Sequence, residues 1–303
     1  MAGIAPAEVV AAFKGIRTDN LSILHDMVDA ALAMPTENAV TLVPAIAHAV
    51  GGRLAEFSYF PGFTNLCIRL AESDQVDAAM QLAEALFRPI LREDEGRGRD
   101  QHWYAQELQR ALPVLVAKRP AQVLELLSSW LGKTVSSMKV ADRQTGDDHS
   151  YAWRPAIEDH QQNSEYDFAS SLVAIVRDGF ELAIKDDLIS LISAFEILDR
   201  CRFHIFKRLK LFLIIHHADD ELARQTILDS QVFDDIGLKH EYAVLLDERF
   251  GCLTSEQRET WFRRVDAGPK EDGEAREYWR FSKLHLVRRH LEEERKREYD
   301  QFF

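Results

Sequence analysis

The chain has 303 residues, of which 46% are hydrophobic and 29% charged, and its formal net charge is −13 at pH 7. This acidic balance argues against a protein that binds nucleic acid or an anionic membrane non-specifically, because phosphate contacts need a basic face. The three cysteines, Cys67, Cys201 and Cys252, lie far apart, which argues against a zinc ribbon or a disulfide framework. The N-terminus lacks a signal-peptide pattern, and no apolar run approaches the roughly 20 residues of a membrane span. We therefore expect a cytoplasmic protein with no membrane partner.

Apolar residues recur at helical spacing along the first half of the chain. Leu24 and Val28 belong to the first clear stripe, with Asn20 as its predicted N-cap and Pro35 just beyond its end. A proline inside a helix removes a hydrogen bond, so Pro44 is expected to kink the next helix. The helices predicted after the first one are 36–50, 73–87, 102–116 and 120–136.

The second half shows the same helical spacing. Thr254 and Gln257 form a predicted capping box ahead of Trp261. The segment 203–215 is apolar around much of its circumference, which places it in the middle of the packing. The helices predicted in this half are 168–180, 188–198, 203–215, 242–250, 255–265 and 274–298. No segment shows the period of two that is typical of a strand, so the sequence predicts an all-α protein.

Short helices joined by short turns suggest antiparallel helix pairs, arranged either as a bundle or as an α-solenoid of the HEAT/TPR-like type. The tetrapeptide Val-Asp-Ala-Ala occurs at 28–31 and again at 76–79, a spacing near that of two-helix repeats. This recurrence favours the α-solenoid, although chance recurrence in Ala-rich helices explains it equally well.

The segment 139–166 is polar and long for a loop inside a compact domain, which is typical of a linker or a working loop. We therefore predict an N-terminal helical repeat half at 1–138, a connecting segment at 139–166 and a C-terminal helical half at 167–303.

Gly132-Lys133-Thr134 matches the last three residues of a nucleotide-binding P-loop. The full pattern G-x-x-x-x-G-K-[ST] also needs a glycine at position 127, where this chain has Leu127, and a preceding strand. The segment 123–130 has instead the spacing of a helix face. We therefore expect no nucleotide or other cofactor, and interpret Gly132 and Lys133 as a helix end or an exposed turn.

His216, His217, Asp219 and Asp220 offer imidazole and carboxylate groups within five residues, a combination that could bind Zn²⁺, Mn²⁺ or iron. On a helix, however, only His216 and Asp220 share a face. The simpler interpretation is that a buried helix reaches solvent here and that the two aspartates begin the next helix. No metal ligand is therefore assigned.

Arg202, Lys207, Arg208 and Lys210 form a basic cluster in this acidic chain. The cluster could contact phosphate or an acidic partner. Basic side chains also lie along apolar helix surfaces with their charged ends in water, so a structural role is the alternative.

The stretch from Tyr151 to Asp167 combines aromatic, charged and amide side chains. One interpretation is a partner-binding loop that uses Trp153, Arg154, Glu158, Asp159 and His160. In the other interpretation Trp153 and Ile157 are buried as packing residues, while Asp159, Asn163 and Asp167 satisfy turns and helix starts.

The sequence contains the phrases WRPAIEDHQQN, HEYAVLLDERFGCLTSEQRETWFRRVDAGP, VDAALAM and QVDAAMQLAEALF. These four phrases resemble the helical arrays of very large bacterial proteins that carry STAND or related ATPase modules. In those proteins the HEAT/TPR-like array senses or scaffolds, and several act in anti-phage defence. The resemblance includes no catalytic signature, so it transfers no site residue.

These observations predict a non-enzymatic α-helical repeat protein that acts as a protein-binding scaffold or sensor in bacterial defence. The alternative is a metal-dependent hydrolase or nuclease that uses the region of His216, Asp219 and Asp220.

Overall fold

The structure is a computed structural model that describes residues 6–51, 61–90, 101–138, 140–142, 144–163, 167–269 and 273–302. Every regular element in these ranges is helical, which confirms the all-α prediction. In chain order the α-helices are α1 (Pro6–Phe13), α2 (Leu21–Ala33), α3 (Thr36–Ala39), α4 (Val43–Gly51), α5 (Pro61–Glu72), α6 (Val76–Phe87), α7 (Gln101–Lys118), α8 (Pro120–Ser137), α9 (Ser150–Trp153), α10 (Phe168–Lys185), α11 (Leu191–Asp199), α12 (His204–His217), α13 (Asp220–Leu228), α14 (Ser230–Asp234), α15 (Lys239–Arg249), α16 (Ser255–Ala267), α17 (Glu274–Leu286) and α18 (Glu293–Phe302). Short 3₁₀ turns lie at Val40–Leu42, Ile236–Leu238, Phe250–Cys252 and Arg288–His290.

Several helices begin where the sequence predicts. The side chain of Asn20 accepts a hydrogen bond from the Ser22 N–H at 2.9 Å at the start of α2. At the start of α16 the capping box is complete: the Gln257 N–H donates to Thr254 Oγ1 at 3.2 Å, and the Thr254 N–H donates to Gln257 Oε1 at 2.9 Å. These contacts satisfy backbone donors that a helix start leaves without partners.

Two helices that the sequence predicts as continuous are divided in the structure. The predicted helix 36–50 consists of α3, the 3₁₀ turn Val40–Leu42 and α4. Pro44 has no N–H for the carbonyl of Val40, and its ring crowds that carbonyl, so the backbone tightens before it. The predicted helix 274–298 is divided into α17 and α18. Arg280 of α17 binds both carboxylate oxygens of Glu298 of α18, at 2.7 and 3.0 Å, so the last helix folds back on the one before it.

The described chain forms two compact units, Met1–Asp148 with Asn163–Phe203, and His149–Gln162 with His204–Phe303. This division differs from the predicted one at 1–138, 139–166 and 167–303, because α10 and α11 belong to the first unit. The packing of α10 against α7 and α8 accounts for the difference.

A glycine allows α10 to approach α8 closely. A Cβ atom at Gly179 would lie 3.2 Å from Leu124 Cδ2 and 3.3 Å from Leu127 Cδ1, which is tighter than ordinary van der Waals contact.

Earlier in the same unit, α5 packs against α6 and α7, and α4 packs against α6. Most contacts in the first unit therefore join helices that are close in chain order.

The second unit is built around α12, which packs against α13 and α15. The prediction that 203–215 is central is confirmed, since the buried side chains of α12 are Ile205, Phe206, Arg208, Leu209, Leu211, Phe212, Leu213, Ile214 and Ile215. One member of this set, Arg208, is charged. Over the ranges that the structure describes, no helix combines the length and apolar character that crossing a membrane requires.

Candidate functional site

An ion pair lies in the core of the second unit. Arg208 of α12 and Glu241 of α15 have fully buried side chains. Arg208 Nε donates to Glu241 Oε2 at 2.9 Å, and Arg208 Nη2 donates to Glu241 Oε1 at 2.6 Å. Two parallel charge-assisted hydrogen bonds fix both the distance and the orientation of the two helices at this point.

The same ion pair holds the backbone that follows α9. Arg208 Nη1 donates to the carbonyl of Arg154 at 2.7 Å, and Nη2 donates to the carbonyl of Pro155 at 3.0 Å. Glu241 Oε1 also accepts the N–H of Ile157 at 3.3 Å. Since a buried charge is tolerated only when its hydrogen-bonding capacity is used, these backbone contacts are part of what makes the buried pair stable.

Hydrogen bonds from Arg208 and Glu241 therefore hold the inner side of the segment 149–162. Other side chains of this segment lie at the protein surface, and we call it the displayed segment. Tyr151 is 44% exposed, and Asp159 and His160 are exposed. Arg154 and Ile157 lie on the inner side, where Arg154 Nη2 donates to the Ile157 carbonyl at 3.1 Å. The arrangement combines a hydrogen-bonded inner side with an aromatic and charged outer face.

A second polar contact joins the displayed segment to α15. His240 Nε2 and Glu158 Oε1 lie 2.6 Å apart, and both side chains are about one-third exposed. The hydrogen bond to Glu158 raises the pKa of His240 above its ordinary value, against the opposing effect of burial. Burial alone raises the pKa of the Glu158 carboxyl, but the hydrogen bond from His240 and the nearby positive charges hold it below its ordinary value.

We expect the coupling between Glu158 and His240 to depend on pH. The stabilisation from His240 is complete below its ordinary pKa of 6.5 and is lost as the pH rises through the raised pKa. The stabilisation from Glu158 is complete above its ordinary pKa of 4.5 and is lost as the pH falls through the lowered pKa. A double-mutant cycle with Glu158→Gln and His240→Gln should therefore give a coupling below about 1 kcal/mol that is largest between these values. An equal coupling at about pH 9, where a histidine is neutral, would contradict this account.

Of the five predicted partner-binding residues, Asp159 and His160 lie on the outer face, and Trp153 and Glu158 are half-buried. In the structural interpretation Trp153 and Ile157 are packing residues. Trp153 is half-buried. Ile157 is fully buried, as that interpretation predicts, and Arg154 is buried as well, with 4% of its surface exposed.

One member of the predicted basic cluster, Arg208, is not at the surface. Arg202 and Lys207 are exposed and Lys210 is half-buried, but Arg208 is buried and neutralised by Glu241. Arg208 follows Ile205 by three residues and precedes Phe212 by four. This spacing places it on the same helix face as these apolar residues, and therefore predicts that it faces the core. The sequence interpretation missed Glu241, which shares a helix face with Leu245.

The candidate metal ligands around α13 have structural roles. Asp219 caps this helix by accepting the Leu222 N–H at 2.8 Å, and Asp220 binds Arg249 at 3.0 Å. His216 is exposed, with its ring against Phe212. The interpretation of this stretch as a helix end followed by a helix start is confirmed.

Within the described ranges, the potential metal ligands that come close together are Glu158, His240 and Glu241, whose ligand atoms lie within 4.8 Å of one another. Both oxygens of Glu241 already accept hydrogen bonds from Arg208. The positive guanidinium beside them repels a cation, so this set fits an internal hydrogen-bond network better than it fits a metal site.

Gly132, Lys133 and Thr134 lie inside α8, which continues to Ser137, so they form neither a helix end nor an exposed turn. The Thr134 hydroxyl is buried and donates to the Trp130 carbonyl at 2.9 Å. A helical backbone uses its N–H groups internally and has none to wrap a phosphate, in contrast to a P-loop.

We compared the chain with protein-family models, curated proteins and solved structures, and none of the three comparisons found a match.

Proposed function

We propose that this protein is a non-enzymatic α-helical module that binds another protein, and that the displayed segment forms part of the contact surface. The observation that carries the proposal is the set of hydrogen bonds from Arg208 and Glu241 to the backbone of residues 154, 155 and 157. A surface segment that is already ordered loses less conformational entropy when a partner binds. Its outer face offers Tyr151, and aromatic residues dominate the energetics of protein interfaces.

We further propose that the helices form a HEAT/TPR-like array with a sensing or scaffolding role in bacterial defence. The succession of neighbour contacts among α4, α5, α6, α7 and α8 supports this arrangement, because stacked repeats contact mainly their neighbours. The two Val-Asp-Ala-Ala tetrapeptides lie in α2 and α6, and each has a buried Val and an exposed Asp. The resemblance of WRPAIEDHQQN and the phrase beginning at His240 to array regions supports the defence role.

The proposal predicts that the outer face of the displayed segment is required for partner binding. Tyr151→Ala, Asp159→Ala and His160→Ala, combined in one protein, should abolish recovery of the partner from a host lysate. They should weaken its affinity for the purified protein by at least about tenfold, which corresponds to about 1.4 kcal/mol. Each single change should alter the free energy of unfolding by no more than about 0.5 kcal/mol, because the side chains are exposed.

The matched control is Tyr278→Ala combined with Glu259→Ala, which removes an exposed aromatic and an exposed acidic side chain elsewhere in the same unit. This control should bind like the unchanged protein. If the triple variant retains the partner with unchanged affinity, the displayed segment is not the contact surface. If no protein is specifically enriched from the host, the binding-module proposal itself fails.

A further inference from the structure

A cavity of about 210 Å³ lies within the second unit, between α14, the 3₁₀ turn at Ile236–Leu238, α15 and α17. Its lining combines aromatic, aliphatic and charged side chains, the main ones being Phe233, Tyr242, Trp279, Leu286, Lys239 and Lys283. Apolar cavities of about 150 Å³ accept a benzene ring. The volume here is sufficient for one ring with a small polar substituent.

Lys283 places an ammonium group among the aromatic rings. Its Nζ lies 4.3 Å from the centroid of the Phe233 ring, 5.5 Å from that of Trp279 and 5.8 Å from that of Tyr242. Aromatic faces attract a cation, and they do so without using its N–H donors. In the part of the chain that the structure describes, the ammonium donates one hydrogen bond, to the Phe233 carbonyl at 2.9 Å. An ammonium group has three donors, so Lys283 retains the capacity to bind an anionic group.

The other charges around the cavity are compatible with an anion. Asp235 is engaged: its Oδ1 accepts the Gly237 N–H at 2.8 Å, and its Oδ2 lies 3.3 Å from His204 Nε2. Lys239 adds a second positive charge at the rim, and Asp234, which is exposed, is the remaining acidic side chain of the lining. Burial lowers the pKa of Lys283 and Asp234 opposes this effect, so an added carboxylate would further favour the charged ammonium.

We propose that this cavity binds a small aromatic carboxylate, with the carboxylate on the ammonium group of Lys283 and the ring against Trp279 and Leu286. The oxygens of a carboxylate can accept hydrogen bonds from the remaining N–H donors of the Lys283 ammonium. A flat ring fits a wall formed by an indole and an aliphatic side chain, and offset aromatic stacking favours that placement. Pockets of this kind typically combine an apolar wall with a few polar groups that fix the ligand orientation.

Benzoate is the probe, and its binding to the full chain can be followed by isothermal titration calorimetry. We expect saturable binding with one site per chain. Acetate, which lacks the ring, and benzyl alcohol, which lacks the charge, should each bind at least about tenfold more weakly. Lys283→Met should weaken benzoate binding by at least about tenfold, whereas Lys185→Met, at an exposed lysine of the first unit, should leave the affinity unchanged. Absence of saturable benzoate binding, or an unchanged affinity in Lys283→Met, overturns the proposal.

A measurement on the unchanged protein covers the case in which Lys283→Met fails to fold. Acetic anhydride acetylates accessible lysines, and mass spectrometry then gives the extent of modification at each one. Saturating benzoate should protect Lys283 at least about threefold and leave Lys185 unprotected, because occupancy above about two-thirds blocks most of the sites. Equal acetylation of Lys283 with and without benzoate overturns the proposal. The cavity lining contains no residue of the displayed segment, so different variants test benzoate binding and partner binding.

Discussion

Glu241→Ala is expected to lower the free energy of unfolding by about 3–5 kcal/mol, because it leaves the Arg208 guanidinium buried without its counter-charge. Neither side chain has exposed surface in the unchanged protein, so bulk water does not solvate the guanidinium there. The change also removes the acceptor of the Ile157 N–H. Urea denaturation of the unchanged protein and the variant, with the slope of the transition compared between them, measures the effect.

Two controls make this result specific to burial. The double variant Arg208→Met with Glu241→Leu removes both charges and should recover much of the lost stability, since apolar residues of similar size often replace a buried ion pair at little cost. Asp247→Ala breaks the exposed pair with Arg289 and should cost no more than about 1 kcal/mol. A Glu241→Ala cost as small as the Asp247→Ala cost would show that Arg208 reaches solvent.

The ion pair also connects stability with the proposed function. The double variant keeps an apolar core but lacks the donors that hold the Arg154 and Pro155 carbonyls. If the displayed segment works because it is already ordered, this variant should fold and yet bind the partner more weakly. Hydrogen exchange at the Ala152 and Arg154 amides reports the loss of order, because these amides bond to the His149 and Ser150 carbonyls and not to either substituted side chain.

Trp261→Ala is expected to cost about 3–5 kcal/mol, as truncation of a large core aromatic does. Trp261 is 1% exposed, and its ring lies 5.2 Å from Phe250, 5.4 Å from Phe262 and 6.1 Å from Phe233, measured between centroids. Its indole Nε1 donates to the Tyr242 hydroxyl at 2.9 Å. Truncation therefore removes aromatic packing and a buried hydrogen bond together, and thermal or urea unfolding measures the loss.

Trp261→Phe separates the two contributions. It retains most of the ring but removes the indole donor to the Tyr242 hydroxyl, which itself donates to the Ile227 carbonyl at 2.9 Å. Burial raises the pKa of Tyr242, so this phenol stays protonated and keeps its own bond. The cost should therefore be smaller than that of Trp261→Ala, whereas Tyr278→Ala, at a side chain that is 66% exposed, should cost no more than about 0.5 kcal/mol. Equal costs for Trp261→Ala and Tyr278→Ala would contradict the central position of Trp261.

The sequence by itself determined the helical class, the start of α2 at Asn20 and the capping box at Thr254 and Gln257. These features depend on interactions within about four residues, which spacing and side-chain type record directly. The burial of α12 was also predictable, because a segment that is apolar around most of its circumference has few faces suited to water.

The tertiary structure alone decided which polar residues work together. Arg208 and Glu241 are 33 residues apart, and the carbonyls that Arg208 binds lie 53 and 54 residues away from it along the chain. A basic residue beside an apolar stripe can place its charged end in water or bury it against a carboxylate. The choice depends on whether an acidic residue from another helix meets it in the core. The aromatic cavity around Lys283 arises in the same way, because α14, α15 and α17 contribute its wall from separate parts of the chain.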